Sequence, residues 1–142
     1  MVEKIYSQVN NQVLHEIYRR SELEQQSLER VNLGSESDYL QAAAMRIKDE
    51  KSFRAHTHLT RSRTIPNLKA HESWVVVSGR VTVHYFDVDD RHLEDVTLSD
   101  GDMTITYSGG HGYTILDKNT LVYEFKSGPY EGQEIDKRFI EP

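Results

Sequence analysis

In the segment Val81-Thr82-Val83-His84-Tyr85-Phe86, Val81, Val83 and Tyr85 alternate with Thr82, His84 and Phe86. That is the period-two pattern of a strand with one buried face. From Tyr39 onward, short runs rich in β-branched and aromatic residues follow one another at the roughly 8 to 12 residue spacing of sandwiches and barrels. The pattern predicts strands near Tyr39 to Lys48, Phe53 to Leu59, His71 to Ser78, Arg80 to Asp87, His92 to Leu98, Met103 to Tyr107, Gly112 to Leu116 and Thr120 to Lys126. Turns are expected at Ser78-Gly79, Asp87 to Arg91, Ser99 to Asp102, Ser108 to Gly110 and Asp117 to Asn119. No stretch carries the strand-helix rhythm of a parallel sheet, which argues against doubly wound nucleotide-binding folds. An all-β jelly roll or small barrel is the expectation.

Before Tyr39 the chain is polar and weakly patterned. Val9, Val13 and Ile17 recur at helical spacing, yet Val13 to Tyr18 reads equally as a short strand. The run SELEQQSLER has only Leu23 and Leu28 to bury, so it predicts a short exposed helix or an ordered loop. The expected organisation is an irregular N-terminal extension over 1–38 packed on a main domain over 39–142, the latter including a C-terminal tail. A chain of 142 residues fits one such unit.

The chain has no Cys, so disulfide scaffolds, zinc fingers, iron-sulfur clusters and thiol nucleophiles drop out, leaving His and carboxylates as metal ligands. A formal charge of -6 argues against nucleic acid as a partner, because affinity for phosphate backbones comes mainly from Lys and Arg. The longest apolar run, Trp74 to Val77, falls far short of the roughly 20 residues of a membrane-spanning helix. The polar start MVEKIYSQVNNQ lacks a signal-peptide core. No membrane association and a cytoplasmic location are the default expectations.

His56 and His58 lie two apart in a segment read as a strand, so both imidazoles can reach one point. Alone, the pair is equally two surface or core histidines. Two further features add weight. Glu72 opens the run ESWVVVSG that ends at Gly79, and Gly101-Asp102 precedes a short strand leading into Ser108-Gly109-Gly110-His111. Three His and one Glu thus sit at strand beginnings or on one strand face, as a site in a barrel mouth requires.

HTH at 56–58, E-x6-G at 72–79 and GD-x-TITYSGGH at 101–111 resemble the two motifs of the cupin superfamily. The resemblance covers roughly Phe53 to Lys126, and it implies a cupin-type jelly roll, the double-stranded β-helix barrel. It also implies one divalent metal ion held by His56, His58, Glu72 and His111. Leu59 to His71 separate the second His from the Glu, and His71 replaces Glu72 if the strand register slips by one. Three imidazoles and a carboxylate suit Fe, Mn, Ni, Co or Zn, and an octahedral ion keeps two positions free. More narrowly, HESWVVVSGRV, YSGGHGYTIL and VYEFKSGPYEGQEIDKRFI resemble small cupins encoded among surface-polysaccharide genes. That implies an enzyme acting on a small-molecule substrate, a sugar or sugar-nucleotide, by isomerisation or epimerisation rather than oxygenation.

Alternatives stay open. Arg54-Ala55-His56-Thr57-His58 is similar to the R-x-H-x-H stretch of cupin-fold keto-sugar isomerases, in which a His pair shuttles protons without metal. Tyr107 or Tyr123 would then serve as the acid partner, or else belong to the barrel core. A non-catalytic binding or sensor module, and an interaction domain with an incidental His cluster, are the other readings. Arg61, Arg63 and Lys69 form a basic loop that either holds phosphate or carboxylate oxygens or is simply solvated. Asp87 to Asp90 lacks the glycine and distal Glu of a calcium loop and reads as a hairpin turn. His15, His84 and His92 fall outside the constellation and read as exposed or structural. A homodimer is expected, because a small sandwich leaves sheet edges that association covers.

Overall fold

A computed structural model describes residues 2–46, 49–50, 52–58, 69–128 and 132–141. Within them the chain forms β1 (Glu3–Tyr6), β2 (Val13–Tyr18), α1 (Arg20–Leu23), β3 (Arg30–Leu33), β4 (Ala42–Met45), β5 (Glu72–Ser78), β6 (Val81–Phe86), β7 (His92–Leu98), β8 (Met103–Thr106), β9 (Gly110–Ile115), β10 (Leu121–Lys126) and α2 (Gln133–Asp136). The fold is all-β. Every strand pair is antiparallel, and the two helices are single turns. No helix among the described residues is long and apolar enough to cross a membrane.

The strands form a five-stranded sheet in the order β1-β2-β8-β5-β10, a three-stranded sheet β7-β6-β9, and the hairpin β3-β4. Period-two alternation explains how they stack. Val81, Val83 and Tyr85 of β6 are fully buried and meet Ile17 of β2, Val76 of β5 and Val96 and Leu98 of β7, so the two larger sheets share one apolar core. The other face of the five-stranded sheet carries Tyr18 and Ile105, which pack with Leu33 and Ala42 of the hairpin in a second core. The five-stranded sheet is therefore the middle layer.

The segment expected as an irregular extension supplies three strands. β2 lies inside the five-stranded sheet, paired with β1 on one side and β8 on the other. Its place is secured by Asp87 at the end of β6. Ser7 Oγ donates to Asp87 Oδ1 and the Gln8 amide to Oδ2, both at 2.6 Å. Asp102 does the same at the opposite end, accepting from the Arg19 guanidinium, the Arg20 amide and the Ser99 amide. Helical spacing misleads at Val9, Val13 and Ile17 because β2 has apolar partners on both faces, which breaks clean alternation. The 38/39 boundary falls within the β3-β4 hairpin.

From β5 onward, strand and turn expectations match the structure to within two residues at each end. Gly79 turns the chain between β5 and β6 at φ 95°, where a side chain would collide with Thr120. The strand expected over Phe53 to Leu59 does not form. Residues 52–58 have no regular structure and are exposed, while Leu59 lies outside the described residues. Between Phe53 and Leu59 at its two ends the segment has Ala55 as its one apolar residue, so pairing it into a sheet would bury little.

Candidate functional site between the two sheets

Glu72 is the first residue of β5 and stands opposite Thr106 in the register of the five-stranded sheet. His111, near the start of β9, stands opposite Tyr85 of the core. Cross-strand partners share a face, so both side chains point into the space between the sheets. There His111 Nε2 lies 2.9 Å from Glu72 Oε1, donating to the ionised carboxylate. Two residues on, Tyr113 brings its hydroxyl to 3.5 Å from the same oxygen. Its ring stacks on Trp74 of β5, centroids 3.6 Å apart and planes within 4°. This aromatic contact ties the sheets together beside the carboxylate.

Gly109 lets β9 start this close to the end of β6. It sits at φ 76°, and a side chain there would run into the Phe86 carbonyl oxygen. Glycine is thus required by both backbone angle and space.

Electrostatics favour an ionised carboxylate beside neutral tyrosine. Burial disfavours the charge on Glu72, but the His111 hydrogen bond, with the electrostatic influence of His111 and the nearby Lys126 and Lys137, outweighs it and holds its pKa below the ordinary value. Burial, then the charge of Glu72, drives the Tyr113 phenol well above its ordinary range, so it keeps its proton. His111 Nδ1 is buried with no hydrogen-bond partner.

A second histidine belongs to this space. His15 of β2 is fully buried, its ring against Tyr85 and its Nδ1 3.0 Å from Thr106 Oγ1, with Nε2 left without a partner. Burial, opposed by the Phe86 carbonyl and assisted by His111, pulls its pKa down to about 4, so it is neutral at pH 7. His15 was expected to be exposed or structural; Tyr113 and Trp74 went unread. The usable signal was alternation, which puts Tyr113 on the face of His111 and His15 on the face of Ile17.

The other expected site residues lie elsewhere. His56 and His58 are exposed, their rings in edge contact at 5.2 Å and His56 Nδ1 3.2 Å from the Arg54 carbonyl. Among the described residues, no third His, Asp or Glu donor joins Glu72 and His111 within 4.8 Å. His71 is on the opposite side of the sheet, edge-on to Tyr107 at 5.2 Å, so Glu72 is the residue that faces inward. Tyr107 is also on that outer side, donating to Glu16 at 2.8 Å, with burial raising its pKa. Tyr123 of β10 pairs with Val75 and is 55% exposed. Lys69 Nζ donates to Ser108 Oγ at 3.4 Å; Arg61 and Arg63 lie outside the described residues.

Two further polar assemblies stand outside the inter-sheet space. On the outer side, a cavity of about 540 Å³ is lined by Lys4, Glu16, Tyr18 and Tyr107 with Val31 and Leu33. On the exposed face of the three-stranded sheet, donor atoms of His84, His92 and Asp95 lie within 4.8 Å of one another, a group that could hold a metal ion.

The chain was compared with protein-family models, with curated proteins and with solved structures, and none of the three comparisons returned a match.

Proposed function

We propose that the protein is an enzyme of cupin-type jelly-roll architecture, with the two facing sheets as its halves, and that it isomerises or epimerises a small sugar or sugar-nucleotide. The observation that carries this reading is the Glu72–His111 pair, half-buried between the sheets and held by hydrogen bonding at 2.9 Å. A carboxylate and an imidazole joined in this way take up and return one proton as a unit. In the proposed reaction the pair removes a proton from the carbon beside a substrate carbonyl. The neutral Tyr113 phenol donates to the developing enolate oxygen, and the proton held by the pair exchanges with solvent. For isomerisation the pair delivers a proton to the former carbonyl carbon while the neighbouring hydroxyl gives its proton to the Tyr113 phenolate; for epimerisation a solvent proton adds to the opposite face of the original carbon while the enol proton returns to Tyr113. No electrons leave the substrate.

The test is proton exchange. Candidate keto-sugars and nucleotide-sugars are incubated with the protein in heavy water, and deuterium at the carbon next to the carbonyl is read by NMR. Glu72→Gln and His111→Gln are expected to slow exchange by about 10²-fold or more, the usual contribution of a positioned acid or base. Exchange that survives both substitutions would overturn the assignment.

A metal-dependent form of this reading is supported by one distance. The 2.9 Å between His111 Nε2 and Glu72 Oε1 brings together one nitrogen and one oxygen donor, the types divalent metal ions take. In that form His56 and His58, exposed and outside any strand here, would have to join Glu72 and His111 to hold the ion, which would supply Lewis-acid polarisation of a carbonyl. The described geometry holds two of these four donors together, so the acid-base form is preferred. Chelator dialysis separates the forms: exchange is retained in the first and lost in the second.

A further inference from the structure

The three-stranded sheet presents a polar cluster on its outer face, away from the inter-sheet pair. His84 of β6 faces Asp95 of β7 directly across the ladder, and Gly112 of β9 lies on its other side. His84 Nδ1 is 2.8 Å and His92 Nε2 2.6 Å from the same oxygen, Asp95 Oδ1.

A regular strand would not allow this. His92 and Asp95 are three apart on β7, and residues three apart in a strand point to opposite faces. Between the Tyr85–Glu94 and Phe86–His92 pairs the register steps, leaving Leu93 as the extra residue on β7. Such a bulge re-aims one side chain. Here Leu93 packs toward the core while His92 is turned onto the face of Asp95. Two imidazoles thereby converge on one carboxylate oxygen instead of each finding its own acceptor.

The remaining nitrogen of His84 is also placed. His84 Nε2 lies 2.8 Å from Thr114 Oγ1 of β9. If Nδ1 gives its lone pair to a cation, Nε2 must carry the proton, and Thr114 is positioned to accept it. A metal-bound imidazole ordinarily has such a partner for its second nitrogen. The side chains of His84, Asp95 and His92 are 31%, 49% and 51% exposed, so an ion can reach them from solvent.

We infer that His84 Nδ1, His92 Nε2 and Asp95 form a second site for a zinc-class divalent cation, with Thr114 as the positioning residue for His84. Two imidazoles and one carboxylate match the three-ligand sites of that ion, and the fourth tetrahedral position stays open to water or an incoming donor. The site is independent of the Glu72–His111 pair and stands whether or not that pair is catalytic.

The test uses Zn²⁺ alone, titrated into the chelator-treated full chain by calorimetry, with NMR of the imidazole resonances locating the ion. The background is the Glu72→Gln, His111→Gln double variant, which removes the inter-sheet donors. One equivalent should bind that background, shifting the His84 and His92 rings. His92→Ala and Asp95→Asn, both at exposed positions, should each weaken binding by about 100-fold, and Thr114→Val by about 10-fold. Zn²⁺ binding weaker than roughly millimolar in the background protein would overturn the site. So would unchanged affinity in His92→Ala and Asp95→Asn, or imidazole shifts confined to His56 and His58.

Discussion

Glu16 and Glu72 are carboxylates of one sheet, both little exposed and both near aromatic hydroxyls, and they face opposite ways. Glu16 points to the outer layer, where Tyr18 donates to it at 2.5 Å, Tyr107 at 2.8 Å, and the Lys4 ammonium lies at 3.0 Å. Three of its roughly four acceptor positions are taken, so the charge joins β2, the residue after β8 and the N-terminal strand. Glu72 points inward, where it has His111 at 2.9 Å and the distant Tyr113 hydroxyl. Around it, His111 Nδ1 and His15 Nε2 remain without partners. Buried polar atoms are ordinarily satisfied, and exceptions concentrate where a ligand or reaction supplies the missing partner. Unpaired buried atoms occur on both faces, His71 Nδ1 and Ser73 Oγ on the outer one, and what separates the two carboxylates is the number of donors that reach each: three for Glu16, and one close one for Glu72.

The contrast can be broken experimentally, and the largest effect is on the inner side. Glu72→Gln should lower substrate proton exchange by about 10²-fold or more while changing unfolding free energy by no more than about 1 kcal/mol. A large loss of stability, measured by urea denaturation, would make Glu72 another structural carboxylate. Glu16→Ala should do the reverse. Stripping the acceptor from two phenols and the partner from Lys4 is expected to cost about 3–5 kcal/mol, with exchange per folded molecule unchanged.

The His15 effect is smaller and depends on pH. Its folded pKa, about 4, lies below the ordinary imidazole value of about 6.5, so the unfolded chain binds the extra proton first. Stability is therefore complete above about pH 6.5, falls as pH drops toward 4, and levels off below, a loss on the order of 3 kcal/mol. His15→Gln should flatten that part of the profile, compared with wild type by denaturant titration at each pH. A variant that keeps the wild-type slope would show that other groups set it. At the bottom of the scale, Arg80 and Asp117 form a bidentate surface pair at 2.9 and 2.8 Å. Arg80→Ala should leave the melting temperature within error of wild type, since exposed pairs are screened by solvent.

Much of the sheet content was legible because β6 alternates strictly and the runs from β5 to β10, rich in β-branched and aromatic residues, are separated by Gly, Asn and Asp turns. Gly79, Gly101 and Gly109 all take positive φ at the expected breaks. β2 was ambiguous for a physical reason: its position inside the sheet, with His15 and Ile17 buried on one side and Glu16 and Tyr18 on the other, removes the polar face that periodicity needs. Of the expected ligand set, the structure brings Glu72 and His111 together across 39 residues of chain. His56 and His58 lie in a segment read as a strand, where two-residue spacing puts both on one face, but that spacing carries no force without apolar side chains to hold the segment against a sheet.

Alternation, turn chemistry and the absence of cysteine were sufficient, from the amino-acid sequence alone, for an all-β chain in which Glu72 and His111 each open a strand. Those are local properties, decided by backbone angles and by which side chains can be buried two residues apart. Tertiary structure decided the rest. The stacking of three layers gave Glu16 and Glu72 opposite surroundings, and the bulge at Leu93 brought His92 beside His84 and Asp95. Hydrogen bonding and burial depend on what crosses from another strand, and no window along the chain contains that information.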